Sequence, residues 1–239
     1  MQTPKKYFLP FFLAALIFLQ ALPFSLAPFR TLTGGRSDVV SVHAAGNSLS
    51  AVSLAPAGSL SRGKLLVADR RIRGSFFAQA VILLVSYGSD GAMGMVINHP
   101  TNVELSSVLP DLEGIKDRKD RVFLGGPVGL DEMFLLFRSG SKPDASVHVF
   151  GSVYMSMSRK TLEGLIAKRQ GAENFRIYAG YAGWAPGQLE KEVARGDWHV
   201  MDAEAGIIFD KKSAEIWPEL ISRASAQWVK VLDESAYCL

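Results

Sequence analysis

Cysteine is nearly missing from this 239-residue chain. The single thiol, Cys238, stands beside the C-terminus, which excludes an intrachain disulfide and a cysteine metal cluster. A basic surplus is also missing where a fold would need one to hold nucleic acid. The formal charge is +3, but residues 1–62 hold Lys5, Lys6, Arg30, Arg36 and Arg62 against one acid, Asp38. Taking these from the totals of 26 basic and 23 acidic residues leaves 21 against 22 in the remaining 177, a net of −1. No nucleic-acid partner is expected from that balance.

Reaction signatures are equally scarce. There is no G-x-S-x-G, no H-E-x-x-H and no nucleotide-binding loop with its lysine, and His43, His99 and His148 are isolated in sequence. No catalytic residue, metal ligand set or cofactor is therefore assigned. With 48% hydrophobic and 21% charged residues, disorder, collagen and coiled coil are excluded. The 177-residue part is large enough to stand on its own apolar core.

What is present begins with a greasy front end. Lys5 and Lys6 precede an uncharged stretch from Tyr7 to Phe29, the layout of a bacterial export signal. Its 23 residues make about 35 Å of helix, long enough for a membrane anchor as well. Ser25-Leu26-Ala27 has cleavage-site spacing but is followed by Pro28, and Val42-His43-Ala44 lies far downstream. Residues 1–29 are read as a signal peptide or N-terminal anchor, 30–62 as a flexible Gly-, Ser- and Ala-rich linker, and 63–239 as the globular domain. The expected location is periplasmic or anchored in the inner membrane, with the cytoplasm as the alternative.

Within the domain, short apolar runs predict strands at 64–68, 81–87, 93–98, 122–124, 133–137, 147–154, 175–178, 198–201 and 207–209. Gly88-Ser89-Asp90-Gly91 predicts a hairpin. Ser158 caps a helix carrying Leu162, Leu165 and Ile166; a second helix begins at Pro186 with Leu189 and Val193 on one face; a third covers about 217–223. Strands interleaved with helices and a hairpin indicate a mixed-sheet α/β or α+β domain.

Four stretches are chemically unusual. Gly125-Gly126-Pro127 follows a strand, either as an anion-binding nest or, the favoured reading, as a sharp strand exit. Tyr178 to Gln188 alternates aromatics with small residues, giving either a ligand site at a helix start or close backbone packing with aromatics in the core. Asn98-His99-Pro100 ends a strand, where polar groups bond either turn backbone or a ligand. Asp197 and His199 share one strand face, so the carboxylate can orient the imidazole as a general base, although no nucleophile accompanies them and an exposed strand face explains the pair more simply.

At these same stretches the chain resembles the YqgE/AlgH family. The matching segments are GKLLVADRRIRGSFFAQAVILLV, DGAMGMVINHPT, VFLGGPV and YAGYAGWAPGQLEKEVARGDWHV, in the family's order and spacing, over roughly residues 63–210. The resemblance implies an α+β fold with a mixed, barrel-like bifurcated β-sheet surrounded by helices. It implies no known reaction, cofactor or catalytic residue, and some family members are described as regulators of transcription. Two departures stand out: family members usually lack a leader, and His99 stands where the family commonly has arginine, which weakens any anion contact near neutral pH.

The functional expectation is a non-enzymatic binding or regulatory module, exported or membrane-anchored through its N-terminal segment. Its partner is an unknown protein or small molecule. The candidate surface is Asn98, His99, Gly125, Gly126, Pro127, Tyr181, Gly183, Trp184, Gly187 and Gln188. The alternatives are a cytoplasmic transcriptional regulator and, behind it, a hydrolase using Asp197 and His199.

Overall fold

A computed structural model describes residues 59–236 other than 117 and 172. The expected leader, almost all of the 30–62 linker and Cys238 lie outside the described residues. Among the described residues ten strands form one sheet: β1 (Lys64–Ala68), β2 (Val81–Gly88), β3 (Gly91–Val96), β4 (Pro100–Glu104), β5 (Arg121–Leu124), β6 (Val128–Arg138), β7 (Val147–Phe150), β8 (Val153–Ser156), β9 (Phe175–Trp184) and β10 (Trp198–Asp202). The helices are α1 (Leu105–Val108), α2 (Arg159–Ala167), α3 (Gln188–Ala194), α4 (Ala205–Phe209) and α5 (Ser213–Ala236). The fold is α+β, a curled half-barrel sheet with helices packed on it. Among the described residues no helix is long and apolar enough to cross a membrane.

The main strand order is β10-β1-β2-β3-β9-β6-β8-β7, and the β4–β5 ribbon joins at β9. Only the β5–β9 ladder is parallel among the described pairs. Strand β9 explains the branching. Along one side it pairs with β6 from Phe175 to Tyr181, while along the other its first half pairs with β5 and its last three residues pair with β3. The sheet forks there.

Three apolar clusters hold the layers. The concave face, including Leu65, Leu83, Met95, Phe134 and Tyr178, is covered by Ile207–Phe209 of α4 and Ile216, Leu220 and Ile221 of α5. The opposite face divides: one half packs Leu66, Ile82, Leu84, Trp184 and Trp198 with Leu189 of α3, and the other packs Leu135, Phe137, Phe175 and Ile177 with Leu162 and Ile166 of α2. Residues Val81–Val85 of β2 are buried on both faces, which accounts for an unbroken apolar run instead of an alternating one. The Ser158 side chain accepts from the Thr161 amide and starts α2 as expected.

Four expectations need correction. The run at 147–154 is two strands that turn at Gly151, whose φ of +47° breaks the extended backbone. Residues 207–209 are helical, since a three-residue apolar run looks the same when a short helix buries every side. The second helix starts at Gln188 after a left-handed Gly187. The strand expected to end at Tyr178 continues to Trp184. Its alternation is broken by Gly180, at φ +71°: Phe175, Ile177 and Ala179 face the α2 side, Tyr178 and Tyr181 the concave side, and Ala182 and Trp184 the α3 side. A left-handed glycine of this kind inserts one residue and shifts the pleat.

Candidate functional site

The glycine pair Gly125-Gly126 lies in the fork. The Gly125 amide donates to Ala179 O at 2.8 Å and its carbonyl accepts from Val96 N at 2.8 Å, so this residue stitches β9 to the end of β3. A methyl group on Gly125 would lie 2.3 Å from Gly180 O, and one on Gly126 1.9 Å from the Tyr181 carbonyl carbon. These glycines serve backbone-to-backbone contact. Neither has a positive φ, and with the Gly125 amide already bonded the pair forms no anion nest. Pro127 leads out of the fork into β6, and Tyr181 packs edge-on against Phe134 at 5.9 Å.

Asn98 is a backbone clamp. Its Oδ1 accepts from Val81 N and its Nδ2 donates to Gln79 O, each at 2.9 Å, so both faces of the amide hold the entry to β2. Gln79 needs holding because its φ is +57°, a conformation that non-glycine residues rarely adopt. His99 is half-buried with its ring edge-on to Phe76 at 5.4 Å, and burial lowers its pKa.

Trp184 and Gln188 belong to a third structure. Glu192 Oε2 accepts from the indoles of Trp184 at 2.9 Å and Trp198 at 2.8 Å, while Oε1 accepts from Gln188 Nε2 at 2.9 Å. Gln188 Oε1 in turn accepts from Ala185 N. One carboxylate thus pins α3 to strands β9 and β10. Gly183 and Gly187 are exposed nearby.

The ten candidate residues therefore do not form one surface. Asn98 and His99 sit where β3 ends, Gly183 to Gln188 sit beside the start of β3, where Ala92 pairs with Trp184, and the glycine pair and Tyr181 sit between. None of them lines the apolar cleft of about 120 Å³ among Met133, Leu135, Met157, Arg159 and Leu162.

A different cluster assembles where β1 ends and β10 begins. Asp69 Oδ2 meets His199 Nε2 at 2.9 Å, and Oδ1 accepts from the Arg71 amide at 3.0 Å and Arg71 Nε at 2.7 Å. Arg71 Nη2 donates to Gly196 O at 2.6 Å, and the Asp69 amide donates to Asp197 O at 2.9 Å. Burial alone would raise the Asp69 pKa, but the hydrogen bonds from Arg71 and His199 outweigh it and hold the carboxyl at about 2. Asp197, the alternative partner for His199, instead takes Arg195 at 2.5 Å. The carboxylate on the imidazole is Asp69, 130 residues away in sequence. The string Asp69-Arg70-Arg71-Ile72-Arg73 between two strands is the local sign of this cluster. Among the described residues no three His, Cys, Asp or Glu side chains gather as metal ligands.

Residues 65–229 match the AlgH-like family model. The chain belongs to this family. A UPF0301 protein of Methylococcus capsulatus is 33% identical over 165 residues, covering 68% of this chain and 90% of that protein. A UPF0301 protein of Streptomyces avermitilis is 35% identical, covering 67% and 85%. The solution structure of AlgH from Pseudomonas aeruginosa aligns with a TM-score of 0.56 at 33% identity, over 69% of this chain and 86% of that one. A Corynebacterium diphtheriae protein shares the fold at 22% identity, TM-score 0.59, covering 69% and 87%. All ten candidate residues and the arginine-bearing turn fall inside the AlgH-like region.

Proposed function

We propose that this AlgH-like protein is a non-enzymatic binding module, exported or anchored by its N-terminal segment, that offers the turn at residues 69–80 to an anionic partner. One observation carries the reading. Arg70 and Arg73 are exposed and make no ion pair among the described residues, yet they stand on a turn fixed at one end by Asp69, Arg71 and His199 and at the other by Asn98. A braced backbone adds no loop-ordering cost when its exposed arginines meet a carboxylate or phosphate, so such a frame suits recognition. The export half of the reading draws on the uncharged run behind Lys5 and Lys6.

The test is N-terminal sequencing of the full chain recovered from separated cell fractions. Recovery from the periplasm or inner membrane is the expected outcome. An intact chain confined to the soluble cytoplasm overturns export and returns weight to a cytoplasmic regulator. The Asp69–His199 contact supports one second reading, a hydrolase with His199 as base. An ester panel turned over by the protein and left untouched by a His199→Gln variant establishes it.

A further inference from the structure

We propose that Arg70, Arg71, Arg73 and Arg195 form a face that docks on an anionic lipid bilayer, with the guanidinium groups on headgroup phosphates; the proposal rests on the tethered reading above. The four arginines share one end of the sheet, since Arg71 bonds to Gly196 O and Arg195 O and Arg73 Nε reaches Arg70 O. Three acids lie near them: Asp69 and Asp197, paired with Arg71 and Arg195 but set beneath them, and Glu192, whose charge reaches Arg195 while its carboxylate is held by the Trp184 and Trp198 indoles. The Arg71 and Arg195 side chains are 68% and 65% exposed, against 17% for Asp69 and 29% for Asp197. What an approaching surface meets is positive, while the residues after Arg62 carry a net −1 in total. That asymmetry orients the domain on a negative sheet of charge.

The partner is chosen by charge and by chain length. Between Phe29 and Gly63 lie 33 residues. Even fully extended they reach no farther than about 115 Å. An anchored domain consequently meets the bilayer at an effective concentration on the order of 1 mM. Each arginine near an anionic surface contributes roughly five-fold in binding. That is too little for a free protein and enough for a tethered one, the usual pairing of an apolar anchor with a basic patch. Ile72, Phe76 and Phe77 are half-buried against the α3-side core, so they hold the turn in place and leave the arginines outward.

The test uses the full chain in vesicles of phosphatidylethanolamine and phosphatidylglycerol, and in vesicles of phosphatidylcholine, with amide hydrogen exchange of residues 69–80 as the readout. Docking slows exchange several-fold on the anionic vesicles alone. The slowing disappears in 0.5 M salt, where charges are screened within a few ångströms. It is also lost in the Arg70→Gln, Arg73→Gln double variant and kept in the Arg70→Lys, Arg73→Lys one. Both variants keep the parent melting temperature, because the replaced groups are exposed. Equal exchange on the two lipids with the protein still vesicle-bound overturns docking and leaves the anchor standing. Slowing that survives the Gln substitutions overturns the assignment to these arginines. A chain that floats with neither lipid overturns anchor and docking together.

Discussion

The fork beside Gly125-Gly126 and the turn at 69–80 belong to the same sheet and respond to opposite demands. In the fork, two strands converge on a third and the space between main chains is too small for a methyl group. In the turn, a dozen residues leave the sheet, three arginines point to solvent, and the chain is tied down at its ends by side chains from β10 and from the end of β3. An unusual composition has a different cause in each. Glycines accumulate where backbone replaces side chain, and arginines where the protein faces outward.

The sharpest break in that comparison is Gly126→Ala. Its new Cβ would lie 1.9 Å from the Tyr181 carbonyl carbon and 2.0 Å from its oxygen, and both belong to backbone that cannot move without opening β9. A loss of more than about 3 kcal/mol is expected, read as the collapse of a cooperative thermal transition. Gly164→Ala is the control: nothing lies within 4 Å and the residue is inside α2. It should stabilise by up to about 1 kcal/mol. Equal behaviour of the two variants would remove the fork as a packing device.

Next in size is Asn98→Ala. The change strands the amide of the fully buried Val81 and frees the Gln79 carbonyl to solvent. One buried unpaired amide costs about 2 kcal/mol together with the bonds lost, measurable by denaturant melting. Hydrogen exchange at residues 77–81 should accelerate more than in the fork. If the whole domain loosens evenly, the turn is not an independently braced element.

Much of this was legible beforehand, and the failures share a cause. Runs such as Val81–Val85 and the Ser158 cap are local signals, and they appear where expected. The positive φ of Gly180 is not local in its effect, because it moves every later side chain of β9 to the other face. The repeat Tyr-Ala-Gly-Tyr-Ala-Gly-Trp then loses its two-residue period and reads as a loop. The glycine motifs were visible, but only the pairing of β9 with both β3 and β5 shows that they meet backbone and not a ligand. The partnership of Asp69 with His199 depends on β1 lying beside β10, which no spacing in the chain announces.

Acid acts differently on the Asp69 brace and on His99, which packs on Phe76 of the turn. His99 is held with a lowered pKa by burial, so the unfolded chain binds its proton first. Stability from this residue is present above the ordinary histidine value of about 6.5 and falls as the pH drops through the folded value. Asp69, held at about 2, keeps its contribution until the pH falls below the ordinary 3.8 and loses it on the way to 2. A His99→Leu variant should therefore lose part of the parent's decline in melting temperature between pH 7 and 5 and keep the decline below pH 4. A pH profile identical to the parent's would mean that His99 is as well hydrated in the fold as out of it.

The smallest effect is expected inside the fork itself. Tyr178 is fully buried against Phe123, and among the described residues its hydroxyl makes no hydrogen bond with good geometry; burial raises its pKa, with the nearby Arg176 guanidinium opposing. Arg176, also buried, stacks on Phe123 at 4.8 Å and gives Nη2 to the carbonyls of Phe209 and Lys211, with no partner for Nη1 among the described residues. Removing an unpaired hydroxyl restores no lost bond and relieves its desolvation, so Tyr178→Phe should be neutral or stabilising by up to about 1 kcal/mol. The fork would then reject one added carbon at Gly126 and accept one removed oxygen beside Gly125, as a region governed by contact distance should. Destabilisation beyond about 1 kcal/mol would instead show an ordered water joining the hydroxyl to Arg176, and would make polar chemistry part of what holds the branches together.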